Sequence, residues 1–302
     1  MVARSIAIDL GGTLVRVALL EGKRIIRRAS AMTAAKGGPA AVLAQFDALI
    51  AEVSEGTDAT ATAGIAIASA GPLDTEAGII LGIPTIEGWE NFPIRSVLAD
   101  RTGVPVFLEN DAIAAAYGEW KYGAGRELLH MAYLTVSTGI GGGIVVDGRL
   151  VRGSKGMAGH IGHMRLSQSG PKCSCGALGC FEALASGSAF EARAAAKTDA
   201  ISAKQVFERA RAGDPECLSL VKQEARYLGQ GITSIIHLAS PERVVMGGGL
   251  SHAFDLLENG IHAVIQADAM APFKDVRVVP AALGDNSGLI GAAALMAKKF
   301  GI

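Results

Sequence analysis

The chain of 302 residues has only four cysteines, too few and too clustered for the disulfide framework of a small secreted domain. It also lacks any long run of lysine and arginine. Its 28 basic residues are set against 29 acidic ones for a net charge of −1, which argues against a nucleic-acid footprint and against a polybasic membrane patch. Half of the residues are apolar, yet no stretch of about 18 is free of polar or charged residues, so no membrane-spanning helix is expected. No linker, low-complexity stretch or tail divides the sequence, and the opening Met-Val-Ala-Arg leads into an apolar strand and not into a signal peptide. These absences predict a cytoplasmic protein of one large or two medium domains whose partner is a small molecule.

What is present concentrates at residues 163–180. His163, Cys173, Cys175 and Cys180 form a His-x9-Cys-x-Cys-x4-Cys cluster, and three thiolates with an imidazole are the donor set of a closed tetrahedral zinc site. Gly170, Pro171 and Gly176 punctuate the segment, so it wraps round something small. A disulfide is the alternative, but Cys173 and Cys175 are too close in sequence to bridge without strain, and three clustered cysteines leave one unpaired. With no open ligand position such a zinc is structural, holding its loop by on the order of 10 kcal/mol. Cys217, alone in a helical stretch, reads as a small core or surface residue.

Residues 5–26 read as an apolar strand, a turn at Gly11-Gly12-Thr13, a second strand over 14–20 and a Glu21-Gly22 turn into a third. Residues 132–151 repeat the plan, with a strand at 132–136, a glycine-rich turn at 139–143, a second strand from Ile144 and an Asp147-Gly148 turn. Two such units predict a duplicated architecture with a cleft between lobes. Between them the spacing predicts a helix over 39–55, strands over 62–68, 78–82 and 104–109, and a helix over 111–122. Beyond the cysteines come helices over 188–197, 203–212 and 215–238, a strand over 243–246, a helix near 250–270, a strand over 276–280 and a closing helix over 288–299. Strands alternating with helices place the chain in the α/β class.

Asp9-Leu10-Gly11-Gly12-Thr13 lies at a strand-to-strand turn, where glycines let backbone N–H groups approach a phosphate and Asp9 can hold a hydrated cation. A glycine-tight hairpin with an exposed Asp is the other reading. Ser137-Thr138-Gly139-Ile140-Gly141-Gly142-Gly143 is richer in glycine, carries two hydroxyls and also follows an apolar strand. Gly247-Gly248-Gly249 follows a strand and precedes a helix, a place for backbone to lie flat against a nucleotide or simply to turn. Glu109-Asn110-Asp111-Ala112 ends a strand and opens a helix. Asp111 is therefore either the helix N-cap or a carboxylate displayed where α/β sheets bind ligands. Phosphoryl transfer to a hydroxyl asks for little beyond positioning, a cation and a base for the alcohol proton.

In order and spacing, the Asp9 turn, Glu109-Asn110-Asp111-Ala112, the Ser137 turn, Ala158-Gly159-His160-Ile161-Gly162-His163 and the cysteine cluster resemble the ROK family of bacterial sugar kinases (repressors, open reading frames and kinases), over nearly the whole chain. The resemblance implies the actin-like ATPase (ribonuclease H-like) duplicated fold with a structural zinc loop. Its lobes would be residues 1–116 and 117–287, with the closing helix 288–302 packing back on the first lobe and the zinc segment 163–180 in the second. It implies that Asp9, Gly11, Gly12 and Thr13, with Thr138, Gly139 and Gly141, cradle ATP phosphates and Mg²⁺, and that Gly247 and Gly248 lie near the adenosine. Asp111 would be the general base for a sugar 6-hydroxyl. Gly71, Pro72, Asn110, His160, His163 and Glu182 would contact the sugar, so His163 would serve both zinc and sugar.

Three positions depart from the family pattern. His160 stands where the family's glucokinases usually carry Glu, and Thr85 where they often carry Asn; Leu14 replaces a frequent Lys at a strand position that leaves the chemistry undisturbed. An imidazole offers a different donor pattern from a carboxylate. The stretch around His160, with Gly170-Pro171 and Glu182-Ala183-Leu184-Ala185-Ser186-Gly187, is most similar to N-acetylmannosamine kinases of sialic acid catabolism, with glucose and N-acetylglucosamine as alternative substrates. ROK repressors place a helix-turn-helix ahead of the first phosphate turn. Only eight residues precede Asp9 here, which favours a kinase. The resemblance also implies a homodimer.

Overall fold

A near-continuous apolar run, Ile6-Ala7-Ile8 with Leu10, makes β1 (Arg4–Leu10) a strand buried on both faces, the pattern of a sheet covered by helices. In the computed structural model, which describes residues 3–56, 62–83, 85–154, 156–200 and 202–302, β1 pairs antiparallel with β2 (Leu14–Glu21), and β2 with β3 (Arg24–Met32). On its other side β1 runs parallel to β4 (Ile65–Ser69). A short hairpin of β5 (Leu73–Asp74) and β6 (Ile79–Ile80) follows, and β7 (Val106–Asn110) completes the first sheet in the order β3-β2-β1-β4-β7.

Two helices make the crossovers, α1 (Gly38–Val53) and α2 (Ile94–Thr102), while α3 (Asp111–Tyr122) springs from the end of β7. Val42, Phe46, Leu49, Ile50 and Val53 form the buried stripe of α1 at helical spacing. Each large side chain fully buried in this way contributes about 1.5–3 kcal/mol. Parallel register decides the position of the site: Leu10 lies beside Ser69 and Ser69 beside Asn110, so Asp9, Ser69 and Asn110 reach the same carboxyl edge of the sheet.

The second sheet has the same plan. An antiparallel meander of β8 (Met131–Val136), β9 (Ile140–Val146) and β10 (Arg149–Leu150) is extended by two parallel strands, β11 (Arg243–Gly247) and β12 (Arg277–Pro280), in the order β10-β9-β8-β11-β12. Its helices are α4 (Phe181–Ala185), α5 (Gly187–Ala195), α6 (Ala203–Arg211), α7 (Pro215–Ala239) and α8 (Phe254–Asp268). One expected turn is corrected. Gly141, Gly142 and Gly143 are strand residues, paired with Thr135, Leu134 and Tyr133, and only Ser137, Thr138 and Gly139 turn.

Contacts divide the chain into two compact units, one of Met1–Gly123, Arg152–Ala158 and Asn286–Ile302, the other of Ala124–Val151 and Gly159–Asp285. The division drawn at 116/117 falls inside α3, which runs unbroken to Tyr122. The closing helix α9 (Ser287–Phe300) belongs to the first unit and packs along α3. Gly291 permits the close approach, since a Cβ there would collide with the Ala114 carbonyl, and Ser287 Oγ donates to the buried Glu119 carboxylate at 2.7 Å. Among the described residues no helix is long and apolar enough to cross a membrane.

Candidate active site

In the first unit the β1–β2 turn is tied from two directions. Gly11 N–H donates to Leu14 O at 3.1 Å, while Thr33, just past β3, donates its hydroxyl to Gly11 O at 2.7 Å and its N–H to Thr13 O at 2.9 Å. Thr85 sits directly over Gly12: a Cβ on that glycine would lie 2.8 Å from the Thr85 Cβ. Asp9 faces Arg16 across the antiparallel register and accepts a 3.0 Å hydrogen bond from its Nη1. Burial raises the Asp9 pKa to about 6; Arg16 opposes this, and the nearby Asp111 carboxylate adds to it. Two carboxylates close enough to repel, at the edge of three parallel strands, can share a hydrated cation.

Asp111 is not the helix cap. Asn110 is, with extended backbone at φ −68°, ψ 140° and its Oδ1 accepting from the N–H groups of Ala112 and Ile113, both at 3.1 Å. Asp111 is the first helical residue, half-buried, its Oδ1 accepting from Ala112 N–H at 2.7 Å. The Asn110 Nδ2 lies 3.9 Å from where a Cβ on Gly71 would stand, and Gly71 joins Pro72 through a cis peptide bond. The predicted Gly71, Asn110, Asp111 and Asp9 are thus gathered in one unit. Glu109, fully buried, accepts from Asn110 N–H at 2.9 Å and from Arg152 Nη1.

In the second unit the four predicted metal ligands converge. Cys175 Sγ and Cys180 Sγ are 3.7 Å apart, Cys173 Sγ and His163 Nδ1 are 3.5 Å apart, and all four donor atoms lie within 4.8 Å of one another. Tetrahedral bonds of about 2.3 Å to sulfur and 2.0–2.1 Å to nitrogen would put sulfurs about 3.8 Å apart and sulfur and nitrogen about 3.6 Å apart, so the donor set fits one tetrahedral ion. Burial pushes the Cys180 thiol up to about 12, whereas the N–H of Ala177 holds Cys175 below its ordinary value. Keeping three adjacent thiols ionised there would require a bound cation. Because Nδ1 of His163 faces the sulfurs, its Nε2 occupies the opposite edge of the ring. The His160 ring stacks on it, with centroids 6.1 Å apart and planes at 18°.

Glu182 links this loop to the second glycine turn. Its Oε2 accepts from Ile140 N–H at 3.0 Å, beside Gly139, and its Oε1 accepts from Ser174 Oγ at 3.3 Å, between two of the cysteines. Gly187 N–H donates to Ser137 O at 2.7 Å, fixing the turn from the other side. Gly248, at φ +83°, lies so near β8 that a Cβ would come within 2.7 Å of Val136 N. Gly247 and Gly248 form the back of a strand end whose next residue, Gly249, lines a cavity of about 570 Å³. Thr138, Ser188, Lys204, Phe207 and Arg211 share that lining. Apart from Thr138 these residues escape sequence reading because they lie on helices of ordinary pattern. Arg16 also escapes it, although the hairpin register that sets it opposite Asp9 is a signal that could have found it.

The chain matches the ROK family over residues 5–299. Glucokinase of Thermotoga maritima is 34% identical over 313 residues, covering 98% of each chain, and N-acetylmannosamine kinase of Citrobacter koseri is 34% identical, covering 96% of this chain and 98% of that one. Among solved structures, the ROK family glucokinase from Streptomyces griseus in complex with glucose and AMPPNP superposes with a TM-score of 0.86 at 32% identity, covering 97% of this chain and 98% of that one. With the α/β two-sheet fold, the paired glycine turns and the His/Cys cluster in their expected order, the chain belongs to the ROK family.

Proposed function

We propose that this chain is an ATP-dependent kinase that phosphorylates the 6-hydroxyl of a hexose or N-acetylhexosamine. N-acetyl-D-mannosamine is the first choice, and glucose or N-acetylglucosamine the alternatives. The observation that carries the reading lies at the end of β7, where Asn110 takes the helix cap and the Asp111 carboxylate stands near enough to Asp9 to raise its pKa. A carboxylate in that place suits a general base. Asp111 accepts the O6 proton as the bond from O6 to the γ-phosphorus forms; the bond from that phosphorus to the bridging oxygen breaks, and ADP leaves.

Asp9, Gly11, Gly12 and Thr13, with Thr138, Gly139 and Gly141, would hold the phosphates and Mg²⁺, and the ion would supply charge neutralisation on the transferring group. Gly247 and Gly248 lie behind the adenosine, for which the cavity beside Gly249 offers room. Gly71, Pro72, Asn110, His160, His163 and Glu182 hold the sugar, with His163 using Nε2. His163, Cys173, Cys175 and Cys180 would hold Zn²⁺, which in a closed four-ligand site would supply rigidity and no reaction chemistry. The choice of N-acetylmannosamine is supported by the stacked His160 and His163 rings, which offer imidazole nitrogens where glucokinases are expected to use a carboxylate. The matched relatives carry both names, so they favour neither substrate. In this reading the enzyme is a cytoplasmic homodimer of sialic acid catabolism, binding no nucleic acid and no membrane.

A coupled ADP-release assay over a panel of hexoses and N-acetylhexosamines tests the proposal. The highest kcat/KM is expected with N-acetylmannosamine. Glucose far above it would move the enzyme to the glucokinase alternative, and ADP release independent of every sugar would overturn the kinase reading.

A further inference from the structure

Two charged residues with no part in the reaction above converge on the strand end that carries Asp111. Glu109 has no exposed surface, yet both of its carboxyl oxygens are engaged: Oε1 accepts from Asn110 N–H at 2.9 Å, and Oε2 accepts from the Arg152 guanidinium. Arg152 comes from 43 residues away in sequence. It heads the Arg152–Ala158 loop of the first unit, closed by Ala158 N–H donating to Arg152 O at 3.1 Å, with Gly156 over Thr75. Burial raises the Glu109 pKa, and Arg152 is the main influence opposing that rise. Only the Glu109 end of the pair is buried, the Arg152 side chain being 39% exposed, and the cost of burying a carboxylate makes such a pair a poor device for stability alone.

Its geometric effect is larger. Asn110 is gripped at its N–H by Glu109 and at its Oδ1 by the first turn of α3, so both its backbone and its side chain are fixed. The direction of the next residue follows from that. We infer that Glu109 and Arg152 are positioning residues that together aim the Asp111 carboxylate, an inference that rests on Asp111 being the base. An error of about 1 Å in such an aim costs about 10²-fold in rate.

Steady-state kinetics of Glu109→Gln, Arg152→Met, the double variant and Arg152→Lys tests the pair, with Asp111→Asn beside them. Each of the first two should lower kcat by about 10- to 100-fold while KM for ATP stays within about twofold, as expected for a group that does not hold the nucleotide. The double variant should fall no lower than the worse single one, because the two residues act as a unit, and Arg152→Lys should recover part of kcat. Wild-type kcat in Arg152→Met, additive losses, or a loss confined to KM would overturn the inference. Should Arg152→Met fail to fold by its melting curve, Glu109→Gln carries the same test, as it removes the charge that holds the Arg152 guanidinium against the strand end. Full turnover by Asp111→Asn would instead remove the base itself. An inactive Asp111→Asn beside unaffected Glu109→Gln and Arg152→Met would reject only the pair.

Discussion

At Asp9 burial and chemistry oppose one another. Its pKa in the folded chain, about 6, lies above the ordinary 3.8, so the native state binds the proton more tightly than the unfolded one. Ionising Asp9 therefore removes native stability as pH rises from about 4 to above 6, by up to about 3 kcal/mol. Asp9→Asn should melt several degrees above the wild type at pH 8, with the gap narrowing at pH 5, and should lose turnover with Mg·ATP. A gap equal at both pH values would show that the carboxylate's charge is not the cause. Asp111 carries a different expectation: Asp111→Asn should keep sugar binding by calorimetry and lose about 10²-fold or more in turnover. Wild-type turnover would eliminate it as the base.

Among the elements, α4 and the cysteine loop form one mechanical piece, because Glu182, in the first turn of α4, bonds Ser174 within the loop and holds the N–H of Ile140 at the second turn. Cys175→Ser should therefore release metal and weaken sugar binding together; full zinc occupancy in that variant, by metal analysis, would contradict the ligand set. The long elements were legible in the sequence because their pattern is local. The stripe of α1, the apolar run of β1 and the turn residues Gly11 and Gly148 each announce themselves. By contrast, α2 was missed because only Ile94 and Leu98 of its nine residues are buried, too few for a recognisable stripe. The glycines of β9 were misread as a turn because their extended state is set by pairing to β8 and not by their own preference. For Asp111, the sequence could pose the choice between cap and base. Only the Asn110 hydrogen bonds decide the cap.

Over the whole molecule, the repeated hairpin announced a repeated sheet plan, and both sheets have it. Less of the site was legible at this scale, because it depends on partners distant in sequence. Arg152 joins Glu109, Glu182 joins Ile140, and the cavity lining is drawn from three helical stretches. None of these has a spacing that a linear reading can detect. The proposed reaction is a single transfer, from ATP to a sugar 6-hydroxyl, and phosphorus NMR of the products observes it without relying on a coupled enzyme. Incubation with Mg·ATP and N-acetylmannosamine should give ADP and a new phosphomonoester signal coupled to the C6 protons, absent with Asp111→Asn. No phosphomonoester with any hexose or N-acetylhexosamine, or a phosphate attached at another carbon, would contradict the account.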